Sequence, residues 1–476
     1  MSQENNNRFA FLATLISFAL VGGISLVLWA LTSRLDKAVR VPSQNTNTNV
    51  AVSDRLPKAV TARVSAGEEI LFPDPSANKV KAAEAIAQGN YDSAITTLNA
   101  SLEADPNDPE AFIYRSNARI ADEPSITIAV VAPVGAYSNL GLEILRGAAQ
   151  AQYDINRNGG IDGRPVRLVL INDENDSAIA TTIATTLVDD SSVLGVVGHF
   201  ASDVTLATAS IYEAGKLVSV TPASTAVDLS GVSPYLYRTV PSDSFAAAAL
   251  SAYMLYYRNN RKAAVYYDAT DDPSGSLKDE FKSFVTAWGG EIVAEYDLSQ
   301  GSFDPNVQQA AEEQGADTLL LAPGVETLPA AEAVIKFNRR RLPILGSDEL
   351  YNRTILAETG PDALALTVAV PWHLLSKDSV TGFVSSSRKL WEGDVSWRTA
   401  TTYDAVVAIA TGLADEPTRA GLKTALDSKN FSVESATGPI KFLPSGDRRQ
   451  VDRLVLVENG TRSGTGYDFV PFTLDP

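Results

Sequence analysis

The chain has no cysteine and only two histidines and two methionines in 476 residues. Disulfides, thiolate chemistry, a thioether lipid anchor and a His-rich zinc cluster are therefore excluded. Positive charge is also scarce, with 39 Lys plus Arg against 57 Asp plus Glu, a formal net charge of -18. A phosphate backbone would be repelled unless a basic stripe focused the opposite sign locally, and the sequence holds no such stripe. Nucleic acid is not an expected partner. Catalytic templates are missing too: there is no G-x-S-x-G elbow, no G-x-x-x-x-G-K loop, no G-x-G-x-x-G after a first strand and no H-E-x-x-H. With no nucleophile paired to a base, no enzyme, cofactor or metal site is expected.

What is present begins with an uncharged run from Phe9 to Leu31, FAFLATLISFALVGGISLVLWAL. As a helix it would span roughly 35 Å, against a hydrocarbon core of about 30 Å. Thr32, Ser33 and Arg34 follow in place of a small-residue cleavage site, so the reading is an uncleaved transmembrane helix at 9–31 behind a cytoplasmic N-terminus at 1–8. Flanking charge disagrees with the orientation this implies. Arg34, Lys37 and Arg40 follow the span while Arg8 precedes it, and a positive-inside count would put the bulk of the chain in the cytoplasm. Large domains translocate despite modest flanking charge, so the nature of the main domain decides. Single-pass anchoring in the inner (plasma) membrane, with the bulk extracytoplasmic, is expected. Residues 32–75, with SQNTNTN near their start, read as a flexible linker.

Residues 76–122 carry apolar positions at helical spacing, broken at Gly89 and Asn90 and again at Pro106. The layout is three helices and two turns. Gly89, Asn90, Tyr91, Ala94 and Pro106 resemble the tetratricopeptide consensus, and Phe112 enters a second repeat that stops after its first helix. Such a module either docks a protein partner or serves as a helical spacer.

After Pro124 the texture changes to alternating strands and helices: SITIAVVAPV, VRLVLIND, VLGVVG, LVSVT, KAAVYYD, EIVAEYD, DTLLLAP and LPILGS are strand-like runs separated by helical stretches. Such alternation implies parallel sheets covered by helices, with ligands beyond the carboxyl ends of strands. Asp154, Asn156, Asn158 and Gly159 imitate half of a calcium loop, but Pro165 stands where the bidentate Glu belongs. Asp173, Glu174 and Asp176 could attract a cation, and are read as a solvated loop.

Several segments, in order, resemble the type 1 periplasmic binding proteins, specifically the branched-chain amino acid (Leu/Ile/Val) receptor family of ABC transporters. They are AVVAPVGAYSNLGLEILRGAAQAQYDINRNGGIDGRPVRLVLINDEND, GVVGHFASDVTLATASIYEAGKLVSVTPASTAVDL, YRTVPSD, AVYYD, ILGSDEL and TYDAVVAIATGL. Together they cover nearly all of residues 125–475. The resemblance implies an α/β fold of two Rossmann-like lobes with parallel sheets joined by a hinge: lobe I at about 125–242 and 371–437, lobe II at about 243–370 and 438–475. It also implies a ligand held between the lobes without chemistry being done on it.

Residue by residue, the resemblance puts Ser202 at the start of a helix whose free amides and hydroxyl receive a ligand carboxylate. Ala223, Ser224 and Thr225 match the segment that holds the same head group, and Asp348 the acid that accepts from a ligand ammonium. Asp243 follows YRTVPS at the first crossing between lobes, where capping the next helix is the readier role. Three departures bear on the ligand. Asp271, Asp272 and Pro273 stand where the family often has an aromatic wall, Gly324 and Val325 where another ring is common, and Leu140 where a bulky ring is expected. Tyr137 is the candidate replacement. His199, Trp372, His373 and Tyr403 read as structural. Two functions follow: a membrane-tethered solute receptor that captures a small polar ligand, an amino acid or amide, for an ABC permease or sensor; or an envelope adaptor that uses the bilobal fold and the helical repeat to bind proteins.

Overall fold

The computed structural model of the chain describes residues 62–473, apart from 136 and 377–381. The expected N-terminus, transmembrane helix and most of the linker lie outside the described residues, among which no helix is long and apolar enough to cross a membrane.

Residues 62–75 are not a free end of the linker. β1 (Val64–Ser65) pairs antiparallel with the first lobe, Val64 opposite Ile171 and Ser65 opposite Leu170. Leu71 and Phe72 pack against the lobe core. This stretch is polar enough to read as linker because its partners, not its own apolar surface, supply the burial.

Three helices follow: α1 (Ala77–Ala87), α2 (Tyr91–Ala104) and α3 (Pro109–Ile120). Ser76, Asn90 and Asp108 cap them, each accepting from the amide three residues on. The helical module expected at 76–122 is present, but it is fused to the first lobe. Leu98, Leu102, Phe112 and Ile113 share one core with Ile126, Ile128 and Ile144. Asn117 fastens the junction: its amide donates to the carbonyls of Leu168 at 2.7 Å and Ala66 at 2.8 Å, and its oxygen accepts from Gln152 at 2.8 Å. Within the module, buried Lys79 pairs with Asp108 at 2.8 Å and Glu110 at 2.6 Å. Such a pair fixes geometry more than it adds stability.

Lobe I is a sheet in the order β1-β3-β2-β4-β5-β6, with β2 (Ile126–Ala132), β3 (Val166–Asn172), β4 (Val193–Val197), β5 (Ser219–Thr221) and β6 (Leu236–Arg238) all parallel. α4 (Ser138–Arg157), α5 (Ser177–Asp189) and α6 (Ser202–Ala214) connect them. Along β2, Ile128 and Val130 enter one core while Ala129 and Val131 enter another. A strand buried on both faces must be apolar at every position, so SITIAVVAPV shows no alternation.

Lobe II repeats the winding. After α7 (Asp243–Ala252) come β7 (Lys262–Tyr267), α8 (Asp272–Ala287), β8 (Glu291–Asp297), α9 (Pro305–Glu313), β9 (Thr318–Ala322), α10 (Leu328–Asn338), β10 (Ile344–Gly346), α11 (Arg353–Thr359) and β11 (Leu366–Val370). The chain then returns to lobe I as α12 (Phe383–Trp391), α13 (Trp397–Gly412), α14 (Arg419–Leu426) and the ribbon β12 (Val433–Ser435) with β13 (Gly438–Ile440). Last, β14 (Arg453–Asn459) and β15 (Tyr467–Pro471) add an antiparallel edge, giving β15-β14-β11-β10-β9-β7-β8. α13 lies on α4 so closely that a Cβ on Gly147 would fall 2.2 Å from the Thr399 carbonyl oxygen.

The chain crosses between lobes three times, at 239–243, 370–373 and 448–453. The third crossing falls later than the boundary expected at 438. Arg448 stays with lobe I because it pairs with Asp404 at 2.6 Å, both fully buried, and donates to the Thr239 carbonyl at 3.0 Å. Asp447 likewise holds Arg238 at 2.6 Å. These charges are satisfied only inside lobe I.

Candidate functional site

In each sheet the strand order reverses beside the first strand, between β2 and β4 in lobe I and between β7 and β9 in lobe II. A crevice opens beyond the carboxyl ends at such a switch point. The two crevices face each other across a partly open cavity of about 240 Å³. Lobe I contributes Tyr137 after β2, Phe200, Ala201 and Asp203 after β4, and Ala223 and Thr225 after β5. Lobe II contributes Asp268 and Asp271 after β7, Gly324 to Glu326 after β9, and Ser347 to Glu349 after β10. Asp243 enters from the first crossing.

Four of the six residues carried over from the resemblance, Ala223, Thr225, Asp243 and Asp348, line this cavity. The side chains of Ser202 and Ser224 do not. Ser202 Oγ, 2% exposed, accepts from the Ala226 amide at 3.2 Å and so ties α6 to the loop after β5. Ser224 Oγ donates to the Phe200 carbonyl at 3.0 Å and shares hydrogen bonds with Thr205 and Thr221. Both hydroxyls are spent shaping lobe I, although α6 still starts at the cavity wall with its first amides beside Ala201 and Asp203. Asp243 is not the helix cap expected of it. Ser242 takes that position, accepting from the Ser244 amide at 3.4 Å, and Asp243 is left facing the cleft.

The residues read as structural are tied into the frame. His199 is fully buried, its Nδ1 2.7 Å from Asp173 and its Nε2 3.0 Å from the Tyr212 hydroxyl. Asp173 and its neighbours are not a solvated loop: Asp176 caps α5, and Glu174 pairs with Arg63 at 3.2 Å. Asp154 and Asn156 belong to the end of α4, where Asn156 clamps the Val166 backbone amide and carbonyl. Trp372 and Tyr403 pack around Phe383. Tyr137 does face the cavity, and its hydroxyl donates across the cleft to Glu326 at 3.2 Å.

Electrostatics set this cleft apart. Among the described residues that line it, seven are Asp or Glu and none is Lys, Arg or His. Three are satisfied by neighbours. Asp268 accepts from Thr270 Oγ1 at 2.6 Å and Thr327 Oγ1 at 2.9 Å, Glu326 accepts from Tyr137, and Glu349 accepts from Arg398 at 2.8 Å. Asp243, Asp271 and Asp348 are crowded together with less relief. Burial, opposed by the Thr225 and Ser276 hydroxyls and by Arg238, pushes the Asp243 carboxyl up to about 6. Burial and then the Glu349 charge lift Asp271 to about 7. The same two causes raise Asp348 against the pull of Arg398. Asp452, on the third crossing, is raised by burial and by the charges of Asp348 and Asp243.

Sequence reasoning named Asp271 only as a missing ring, and it missed Ser347, Glu326, Glu349 and Arg398. Their common signal was available: each of the first three follows a lobe II strand by a few residues. A ring at 324 has no room, because even a Cβ there would sit 2.8 Å from Asp268 Oδ2 and 2.9 Å from Asp271 Cβ. The acidic wall occupies the place an aromatic would need.

The lobes touch around the cavity. Arg398 on α13 reaches Glu349 of lobe II while facing Glu143 of lobe I at 3.6 Å. The Val227 amide donates to Ser276 Oγ at 3.0 Å, again across the cleft.

Two doubly wound lobes joined by three crossings and facing each other across a polar cleft define a bilobal α/β fold with its cavity between the lobes. The chain belongs to the periplasmic binding protein family, whose sequence profile matches residues 125–462. Among curated relatives it is similar to the Leu/Ile/Val-binding protein of Escherichia coli, 25% identical over 360 residues, covering 70% of this chain and 90% of that protein. It is 30% identical over 184 residues to an amino acid binding protein of Pseudomonas aeruginosa, a match that spans 38% of this chain and 49% of that protein. Among solved structures, an ABC transporter substrate-binding protein from Desulfitobacterium hafniense in complex with Leu superposes with a TM-score of 0.62 at 22% identity, covering 73% of this chain and all of that one.

Proposed function

We propose that the chain is an extracytoplasmic solute receptor of an ABC transporter that closes its two lobes around a small ligand bearing an amino group. The observation that supports this most directly is the cavity between the lobes, with the start of α6 on one side and Asp348 on the other. In this reading the α6 amides, Ala223 and Thr225 receive a negative or polar head group, and Asp243 and Asp348 receive the ammonium. Relatives named for Leu, Ile and Val binding support an amino acid as ligand class. The uncharged stretch from 9 to 31 tethers the receptor to the membrane, taking the place of the lipid a cysteine would carry. The helices α1 to α3, whose spacing resembles tetratricopeptide repeats, act as a rigid collar on lobe I. Their inner face is already used against α4 and β3, which favours this over an adaptor role.

The test is a thermal-shift screen of the full chain in detergent against amino acids, amides and small carboxylates. A ligand at a hundred times its dissociation constant should stabilise by about 2.7 kcal/mol. A flat response to the entire panel would refute the receptor reading.

A further inference from the structure

We propose, building on the receptor reading above, that the cleft is made for a small aliphatic dication: a methylene stem carrying two amino or guanidino groups, as in a basic amino acid or a diamine.

A neutral amino acid brings one ammonium and one carboxylate. The ammonium can neutralise one of Asp243, Asp271 and Asp348, and the ligand carboxylate adds a further negative charge to a cavity that has no cation among the described residues of its lining. Arg398 is already matched by Glu349, and Arg238 by Asp447. Closing the lobes over a neutral amino acid therefore buries at least two carboxyl groups without a counter-charge, which is costly unless they stay protonated. A second positive centre removes that cost.

The cavity also contains acceptors with nothing to accept from. Asp243 is 5% exposed and its Oδ2 has no hydrogen-bond partner; Ser347 is 7% exposed and its Oγ has none either. Both line the cavity. They come from different segments, the first crossing and the end of β10, so the demand for donors is spread over the wall. Among the described residues no three acidic or His groups are placed to share one metal ion. Positive charge must therefore arrive at separate points, as two ammonium groups on one stem provide. Leu277, Val325 and Pro273 supply the apolar surface against which methylenes can lie. The volume of about 240 Å³ lies below the range of about 300–1,000 Å³ usual for drug-sized ligands, which suits such a molecule.

The experiment is calorimetric titration of the full chain in detergent, near neutral pH, with L-leucine, L-lysine, cadaverine and calcium chloride in separate runs. Lysine and cadaverine differ only by a carboxylate, so the tighter of the two tells a basic amino acid from a diamine. At least one should bind about tenfold or more tightly than leucine, a difference of about 1.4 kcal/mol. Asp271→Asn should erase that preference while changing leucine affinity little, whereas Asp348→Asn, which removes the acceptor for the shared ammonium, should weaken leucine, lysine and cadaverine alike. Leucine binding as tightly as both dications overturns the charge inference and leaves the receptor reading intact. Calcium alone saturating the cleft and excluding lysine overturns it in favour of a metal. Silence from all four overturns it too, and the receptor reading falls with it only if the wider amino acid and amide panel is also silent.

Discussion

Replacing Asp243 by Asn should change the pH dependence of stability in the ligand-free protein. The carboxyl titrates at about 6 in the fold against an ordinary value of 3.8, so the folded state holds its proton more tightly than the unfolded chain. Its contribution is fully present below about pH 4 and is lost as the pH rises through about 6. The difference is about two pH units, and at 1.36 kcal/mol each the wild type forfeits about 3 kcal/mol across that window. Asn carries no charge and forfeits nothing. The groups facing the carboxyl are Arg238 from β6, Glu280 from α8, and the acids Asp271, Asp348 and Asp452; removing one negative charge also eases the last three, which acts in the same direction. With an unfolding entropy of about 2.1 cal/mol/K per residue over roughly 350 residues, 3 kcal/mol corresponds to about 4 °C if the lobes melt together. Scanning calorimetry of both proteins from pH 4 to 8 gives the comparison. The expected result is a melting-temperature difference that moves in favour of the variant by about that amount between pH 4 and pH 7 and then levels. Any hydrogen bond lost to Thr225 or Ser276 gives a constant offset, which the slope ignores. Parallel profiles would show that Asp243 is not held in a desolvated, acid-crowded site, and the electrostatic account of the cleft would fail with it.

Gly147→Leu forces a side chain between α4 and the Thr399 carbonyl, where even a Cβ clashes, and should destabilise lobe I by about 3 kcal/mol or more, read from urea unfolding. Asn117→Ala leaves the Leu168 carbonyl without its buried donor and Gln152 with the Val166 carbonyl alone; a loss of about 1–3 kcal/mol is expected, with faster proteolysis of α1 to α3 and unchanged ligand affinity. Arg398→Gln removes the charge matched to Glu349 across the cleft and should weaken closure, measured as a larger radius of gyration by small-angle scattering. A variant as compact as the wild type would show that Arg398 does not strap the lobes.

The fold was legible where physics writes it into composition. Strands such as β2 and β9 are buried on both faces, so all their positions but Thr127 and Thr318 are apolar, and such runs stand out between amphipathic helices. β1 was illegible for the opposite reason: two residues borrow burial from β3, and nothing in VSAGEEILF announces it. The crossing after Arg448 was misplaced because the charges that hold 438–448 to lobe I pair with residues far away in sequence. In the site, the family resemblance and the segments that carry it located Ala223, Thr225, Asp243 and Asp348. They could not reveal where a hydroxyl bonds, and Ser202 and Ser224 turn theirs inward. The acidity of the cleft was overlooked because Asp271 and Glu349 lie in different segments, and only the facing of two crevices makes their charges one field.

That shared field bears on how closure would be governed. Lobe I meets the cavity with amides, hydroxyls and one carboxylate, Asp203, lobe II with most of the carboxyl groups, and the crossings add Asp243 and Asp452. When the lobes part, water screens these acids from one another; when they close without cargo, desolvation and mutual repulsion act together, and Arg398 is shared among Glu349, Glu143 and Asp348. A ligand can shift the balance between open and closed forms only by the difference in its affinity for the two. A cation gains most in the closed form, where the carboxyl groups converge and water is excluded, so its binding energy and the relief of repulsion favour the same state. An anion or an uncharged solute gains no such relief. If the proposed dication is the ligand, the acidic wall would do two jobs with one set of side chains, choosing the sign of the ligand and discouraging closure over an empty cleft.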